Sequence, residues 1–151
     1  MWSQPTPTNA GFRLGFATSL APRDWALLVR LPSRVLAAVL AVPIDPPPVS
    51  AGLAGLATIA HARAAPAGLV REVATAIFAT VEPPADTGYC VQDECVRAGF
   101  VLAQRVPSAE ADAYRAWVRR VGEAAVEPVA DDPVGAAQAG LLDDFERALA
   151  G

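Results

Sequence analysis

The sequence predicts an all-α fold, a single compact bundle of about six to seven helices, on three observations. Apolar residues recur at spacings of three and four through most of the chain, and no stretch shows the alternation of a strand. Prolines recur at the edges of Ala- and Leu-rich blocks, where they mark helix boundaries because proline breaks helix interiors. At 151 residues the chain is long enough for one domain with one core.

We expect residues 1–20 to form a flexible N-terminal arm and residues 21–151 to form the helical domain. The arm mixes Pro, Thr, Ser, Asn and Gly without a sustained period. The first helix is predicted over residues 22–30, stopping before Pro32, and the second over residues 32–42. A run of three prolines then forms an extended connector.

Two further helices are predicted before the main loop, over residues 49–64 and 66–81. The apolar stripe of the third helix is Leu53, Leu56, Ile59 and Ala60. The apolar face of the fourth is Leu69, Val70, Val73, Ile77, Phe78 and Val81. Residues 82–92 are rich in turn-forming residues and are predicted to be the main loop.

The last three helices are predicted over residues 93–105, 107–127 and 138–149. The fifth presents Cys95, Val96, Gly99, Phe100, Leu102 and Ala103. The sixth has the clearest period, with Tyr114, Trp117, Val118, Val121 and Ala125 inward. The seventh turns Leu141, Leu142, Phe145 and Leu149 inward. Since the fifth helix is apolar around most of its circumference, we expect it to be central.

Composition excludes two broad classes of function. The chain has 12 Arg, no Lys and a net charge of −4, so it lacks the positive field of a general nucleic-acid binder. The mean hydropathy of +0.31 reflects 33 Ala, and the longest stretch without ionisable residues, 46–60, carries three prolines. A membrane span is therefore not expected. The N-terminus lacks the positive segment of a secretory signal, so we expect a cytoplasmic protein.

Cys90 and Cys95 are the sharpest reactive feature. Cys95 is predicted in the first turn of the fifth helix, where the helix dipole favours a thiolate, so the pair is a redox candidate together with the 82–92 loop. The alternative is a pair of inert thiols, because the spacing is not C-x-x-C and Asp93 and Glu94 oppose thiolate formation.

No catalytic residues are predicted, and we expect a protein that is not an enzyme. His61 is the only histidine, and its place near the end of the third helix predicts an interaction with the helix C-terminus. Nothing in the sequence sets a nucleophile and a carboxylate beside it. Neither a P-loop nor a G-x-G-x-x-G fingerprint occurs, so no nucleotide cofactor is expected.

Charged residues of the last two helices are predicted to form solvated, paired faces. Their spacing matches no calcium loop, although carboxylates of this kind are the ligands that divalent cations prefer. The acidic residues near the C-terminus are Asp131, Asp132, Asp143, Asp144 and Glu146. The sixth helix carries Arg115, Arg119 and Arg120, which Asp112 and Glu123 are placed to pair.

Two segments resemble the small all-helical bacterial proteins of the tellurite-resistance B (TerB-like) type. Residues 24–39, DWALLVRLPSRVLAAV, are similar to the opening Trp, Leu-Pro and apolar helix of that group, with Asp45 where its acidic residue falls. Residues 107–121, PSAEADAYRAWVRRV, are similar to its Pro, Glu-Ala, aromatic and Trp helix. The resemblance implies a helical bundle without catalytic activity, in some members with a bound metal, which makes Asp45 a metal candidate. Three prolines follow Asp45 in place of the usual acidic residue.

The leading hypothesis for function is a non-enzymatic interaction domain, a stress-associated or regulatory accessory protein that acts through protein contacts. Its contact surface is expected on the outer side of the second and third helices, where small residues allow close approach, with a homodimer as the natural form. One alternative is a small redox or ligand-binding protein that uses Cys90 and Cys95. Another is divalent-metal binding through carboxylates.

Overall fold

The computed structural model describes residues 15–42, 49–79, 90–126 and 133–151, and it confirms the all-α prediction. Within these ranges there are seven α-helices and no strand. The helices are α1 (Gly15–Ser19), α2 (Pro22–Leu40), α3 (Val49–His61), α4 (Leu69–Ala79), α5 (Val91–Arg105), α6 (Ser108–Glu123) and α7 (Pro133–Leu149), with a 3-10 turn (Ala62–Ala64) after α3. α5 packs against α2 and α7, and α6 packs against α2, α3, α4 and α7.

The predicted break before Pro32 is wrong, because α2 is one helix with Pro32 buried inside it. A proline in a helix interior has no N–H for the carbonyl four residues earlier, which here belongs to Leu28. The Tyr114 hydroxyl donates a buried hydrogen bond of 2.7 Å to that carbonyl. A side chain of α6 thus satisfies the acceptor that Pro32 cannot, and α2 continues past the proline.

The predicted apolar stripe of α6 is confirmed, since all its members are buried. Tyr114 and Trp117 are the two largest fully buried side chains, and their rings meet edge to face with centroids 6.0 Å apart. These two rings fill the space between α6 and the helices around it, so α6 lies at the centre of the core.

Two carboxylates that are distant in the sequence accept hydrogen bonds from backbone N–H groups at the starts of helices. Glu72 of α4 accepts a hydrogen bond of 2.8 Å from the Phe16 backbone N–H in α1, and Glu110 of α6 accepts one of 2.6 Å from Leu69 at the start of α4. Leu20, which follows α1, is buried in the core. Residues 15–20 therefore pack on the domain, while residues 1–14 of the predicted arm lie outside the described residues.

The buried face of α3 agrees with the prediction at Ile59 but not at its two leucines. Ala51, Gly55 and Ile59 face inward, whereas Leu53 and Leu56 face outward and are exposed. Gly55 explains the choice, since a Cβ there would lie 2.3 Å from a methyl carbon of Leu36. The absence of a side chain at Gly55 lets α2 approach this face closely.

A second glycine lies where α5 and α7 meet. A Cβ on Gly99 would lie 2.7 Å from the Ala148 carbonyl oxygen, so the backbones of α5 and α7 approach each other on this side. The inward positions predicted for Val96, Phe100 and Ala103 are wrong, because all three side chains are exposed. Cys95 and Leu102 are fully buried as predicted, but one side of α5 faces solvent, so α5 is not the central helix.

The fourth and seventh helices differ from expectation mainly at one side chain and one boundary. Leu69 and Val73 are buried as predicted, but Phe78 is half exposed beneath the guanidinium of Arg63, which lies 4.5 Å from the ring centroid. α7 begins at Pro133, five residues earlier than predicted, and its Gln138 amide donates a hydrogen bond of 3.0 Å to the Val39 carbonyl.

Residues 82–89 of the predicted main loop lie outside the described residues. In the part of the chain that is described, no helix combines the length and apolarity needed to cross a membrane.

Candidate functional site

A fully buried carboxylate is the most unusual group in the described structure. Glu94 lies in the first turn of α5 with none of its surface exposed to solvent. It shares the buried side of the helix with Ala98 and Val101, one and two turns further on. Acidic side chains are almost never fully buried without a partner, so the residues that surround this one define a site.

Two arginines of α2 hold the Glu94 carboxylate. The Nε and Nη2 atoms of Arg30 both lie 2.6 Å from Oε2, and Arg34 donates through Nη1 to Oε1. The arginines are one helical turn apart, and about a fifth of each side chain is exposed. Both carboxylate oxygens are thus bonded, and the three groups together carry one net positive charge.

An open groove of about 740 Å³ lies beside this cluster, between α2 and α5. Leu27 and Val101 are buried and form its floor. Four arginines and a single acidic residue, Asp24, line it. The arginines are Arg23, Arg30, Arg97 and Arg105. The volume is that of a ligand or peptide site, and the lining favours an anionic occupant.

Two exposed apolar side chains belong to the same groove. Val96 is 53% exposed and Phe100 is 65% exposed, and they lie one turn apart on α5. Arg97 and Val101 follow them on the adjacent side of the helix. Because cationic and apolar groups alternate along one helix, the groove offers both charge pairing and apolar burial to whatever binds it. We refer to the ten lining residues as the α2–α5 groove.

A second exposed apolar surface lies on α3. Val49, Leu53 and Leu56 occupy positions one turn apart on its outer side. No Asp, Glu, Lys or Arg occurs in α3, and His61 at its end is exposed. We refer to Val49, Leu53 and Leu56 as the α3 face. It coincides with part of the contact surface expected from the sequence.

The structure places the two cysteines in different environments. Cys90 is exposed and caps α5, where its sulfur accepts a hydrogen bond of 3.4 Å from the Asp93 N–H. Cys95 is fully buried, and burial, together with the charges of Glu94 and Cys90, raises the pKa of its thiol from 9.0 to about 12. Cys95 therefore stays protonated at neutral pH, which is opposite to the thiolate that the redox hypothesis needs. Both thiols are free.

The described residues show no arrangement of side chains that supports the metal hypothesis. Asp45 lies outside the described residues, and within the ranges that are described no three His, Cys, Asp or Glu side chains gather into a group able to hold an ion. Among the carboxylates of α7, Asp143 and Glu146 each accept a hydrogen bond of 2.7 Å from Arg119, and Asp144 pairs with Arg147. Arg115 also pairs with Asp112 at 3.1 Å, as predicted.

Neither the Glu94 cluster nor the groove is predicted by the sequence pattern. A carboxylate in the first turn of a helix is typical of a solvated residue that favours the helix dipole. One signal was available: Glu94 lies at helical spacing from Ala98 and Val101, so it belongs to an otherwise apolar stripe. Its partners on α2 are 60 and 64 residues away in the sequence, and only the packing of the helices brings them together.

Comparison with known protein families, curated proteins and solved structures finds no match to the chain. The function of the protein is therefore inferred from the geometry of these surfaces.

Proposed function

We propose that the protein is a non-enzymatic helical interaction domain, a regulatory or stress-associated accessory protein that acts through protein contacts and forms a homodimer through the α3 face. The observation that carries the proposal is the exposure of this face. Val49 is 78% exposed, Leu53 59% and Leu56 45%. Single exposed apolar residues are common on protein surfaces, but a contiguous row of large ones is typical of an interaction site.

The exposure of the α3 face has an identifiable cause. Leu53 and Leu56 could be buried only by turning α3 about its axis, and that would remove Gly55 from its contact with Leu36. The close approach of α2 and α3 therefore keeps the leucines outside. Burying apolar surface is worth about 25 cal/mol per Å², so a partner that covers this face gains free energy that folding alone does not recover.

A second copy of the chain is the occupant that this face fits best. In a two-fold dimer each patch meets its own copy, so any charge in it would oppose a like charge. The helix from Val49 to Ala60 has no ionisable side chain, which removes that penalty. Ala57 and Ala60 lie on the same side of the helix as Leu53 and Leu56, and their small side chains allow two helices to approach closely.

The likeness of residues 24–39 and 107–121 to TerB-like proteins supports the same proposal, since it implies a helical bundle without catalytic activity.

Sedimentation velocity over a wide concentration range tests the proposal. We expect a reversible monomer–dimer equilibrium in the wild type and a monomer in the Leu53→Gln/Leu56→Gln variant. The matched control is Val96→Gln/Phe100→Gln, which also replaces two exposed apolar side chains, but on α5. A wild type that stays monomeric up to millimolar concentration, or a dimer that both variants retain equally, would remove the proposal.

A further inference from the structure

We infer that the α2–α5 groove binds an acidic amphipathic helix of a partner protein. The inference depends on the proposal that the chain works through protein contacts, but it concerns a different surface from the α3 face and a different occupant.

Charge is the first argument for this occupant. Among the described residues, the groove is lined by Arg23, Arg30, Arg97 and Arg105 and by one acidic side chain, Asp24, with the buried Glu94 behind Arg30. It is therefore net positive in a chain whose total charge is −4. Such a surface attracts an acidic partner, and it repels a second copy of the same groove.

The apolar side chains of the groove argue for an amphipathic partner. Val96 and Phe100 rise at its wall, and Leu27 lies in its floor. A purely ionic ligand would leave the two wall residues in water. An occupant that carries apolar residues on one side and carboxylates on the other covers both kinds of group at once.

The dimensions of the groove argue for a helix. Its two walls are themselves helices, and the lining residues of α5 run from Val96 to Arg105, a length of about 14 Å. That length matches two to three turns of a bound helix, whose apolar residues at spacings of three and four would follow the spacing of Val96 and Phe100. A groove between two packed helices is a common binding site for a third helix.

The Glu94 cluster prepares one part of the groove before binding. The two contacts of Arg30 with Oε2 of Glu94 hold the guanidinium at the edge of the groove. The Arg30 side chain therefore loses little conformational freedom when a partner carboxylate binds. Glu94 thus acts as a positioning residue that does not itself contact the partner.

The test is a titration of the full chain into a dye-labelled synthetic peptide, followed by fluorescence anisotropy. The peptide places Leu at helical spacings and Glu elsewhere. A scrambled peptide of the same composition, a version with Lys in place of Glu, and a single-stranded DNA oligonucleotide serve as comparison probes. We expect the acidic amphipathic peptide to bind and the three comparison probes not to bind. The affinity for the acidic peptide should fall as the salt concentration is raised.

Two variants locate the binding. Arg23→Gln/Arg105→Gln and Val96→Gln/Phe100→Gln should each weaken binding by about tenfold or more. The control Arg71→Gln/Arg120→Gln removes two exposed arginines outside the groove and should leave affinity unchanged. All of the substituted residues are exposed, and thermal unfolding of each variant checks that the fold is kept.

Several results would overturn the inference. Equal binding of the scrambled peptide or of the oligonucleotide would show a plain anion site, and equal loss in the control variant would show general charge attraction. If no probe binds, the inference that the groove binds an acidic amphipathic helix is wrong. The Leu53→Gln/Leu56→Gln variant distinguishes peptide binding in the groove from the proposed dimer. This variant should lose self-association and keep peptide binding.

Discussion

The Tyr114 hydroxyl donates its hydrogen bond to the Leu28 carbonyl, the acceptor that Pro32 leaves without a helical donor. The two residues are 86 positions apart in the chain. A tertiary contact therefore supports the middle of α2, the helix that carries Arg30 and Arg34 toward Glu94. The integrity of the groove wall depends on this contact as well as on the local sequence.

Tyr114→Phe should destabilise the protein by about 1–3 kcal/mol, because it leaves a buried carbonyl without a partner. The penalty should shrink in a Pro32→Ala background, where the new backbone N–H can donate to the Leu28 carbonyl. Urea unfolding of the four proteins in this double-mutant cycle measures the coupling. Equal penalties in both backgrounds would show that Pro32 and Tyr114 act independently.

Glu94→Gln should destabilise the protein by about 3 kcal/mol, because two arginines lose the charge that compensates them in a mostly buried cluster. The control is Asp112→Asn, which removes an exposed ion pair with Arg115 and should cost about 0.5 kcal/mol. Chemical denaturation measures both. Similar small losses in the two variants would mean that the cluster is not a significant source of stability.

Gly99→Ala should destabilise the protein by about 3 kcal/mol, because the added Cβ would press on backbone oxygen atoms of α7 that cannot move aside easily. The matched control is Gly140→Ala in α7, where no heavy atom lies within 4 Å of the added Cβ. Alanine is the better helix former, so the control should be stabilised by up to about 1 kcal/mol. Thermal unfolding distinguishes the two, and a tolerated Gly99→Ala would contradict the close approach of α5 and α7.

Alkaline pH should destabilise the fold through Cys95. Its pKa is about 12 in the folded protein and 9.0 ordinarily, so above pH 9.0 the unfolded chain releases a proton that the folded chain keeps. The folded state then binds more protons, and the free energy of unfolding falls with rising pH by at most about 1.4 kcal/mol per unit for this group. Burial also raises the pKa of Tyr114, which acts in the same direction.

Urea unfolding across this alkaline range, for the wild type and Cys95→Ala, measures the effect. The variant should show a shallower dependence on pH. At neutral pH a thiol reagent should modify Cys90 in the native protein and Cys95 only after unfolding. Rapid modification of both thiols in the native protein would show that Cys95 is reactive, and it would support the redox hypothesis.

The helices and the core of α6 were predictable because their information is local. The period that buries Tyr114, Trp117 and Val121 can be seen in the sequence itself. The path of α2 through Pro32 was not predictable from its own residues, since the compensating donor comes from α6. The outward turn of Leu53 likewise depends on which face of α3 a neighbour can approach most closely.

The site was less accessible to sequence reasoning than the fold. Periodicity assigns Phe100 to an apolar face, but in the structure Phe100 is exposed while the neighbouring Gly99 contacts α7. Glu94 has an acidic side chain, which predicts exposure, and its burial depends on two arginines distant in sequence. The groove exists only where α2 and α5 meet, so no single segment encodes it.

The central claim is that the α3 face joins two copies of the chain, and amide NMR spectra recorded at low micromolar and at millimolar concentration test it most directly. We expect concentration-dependent shifts confined to residues 49–57 and to their immediate neighbours on α2, with the amides of the α2–α5 groove unchanged. Superimposable spectra at the two concentrations, or shifts confined to another face, would contradict the account.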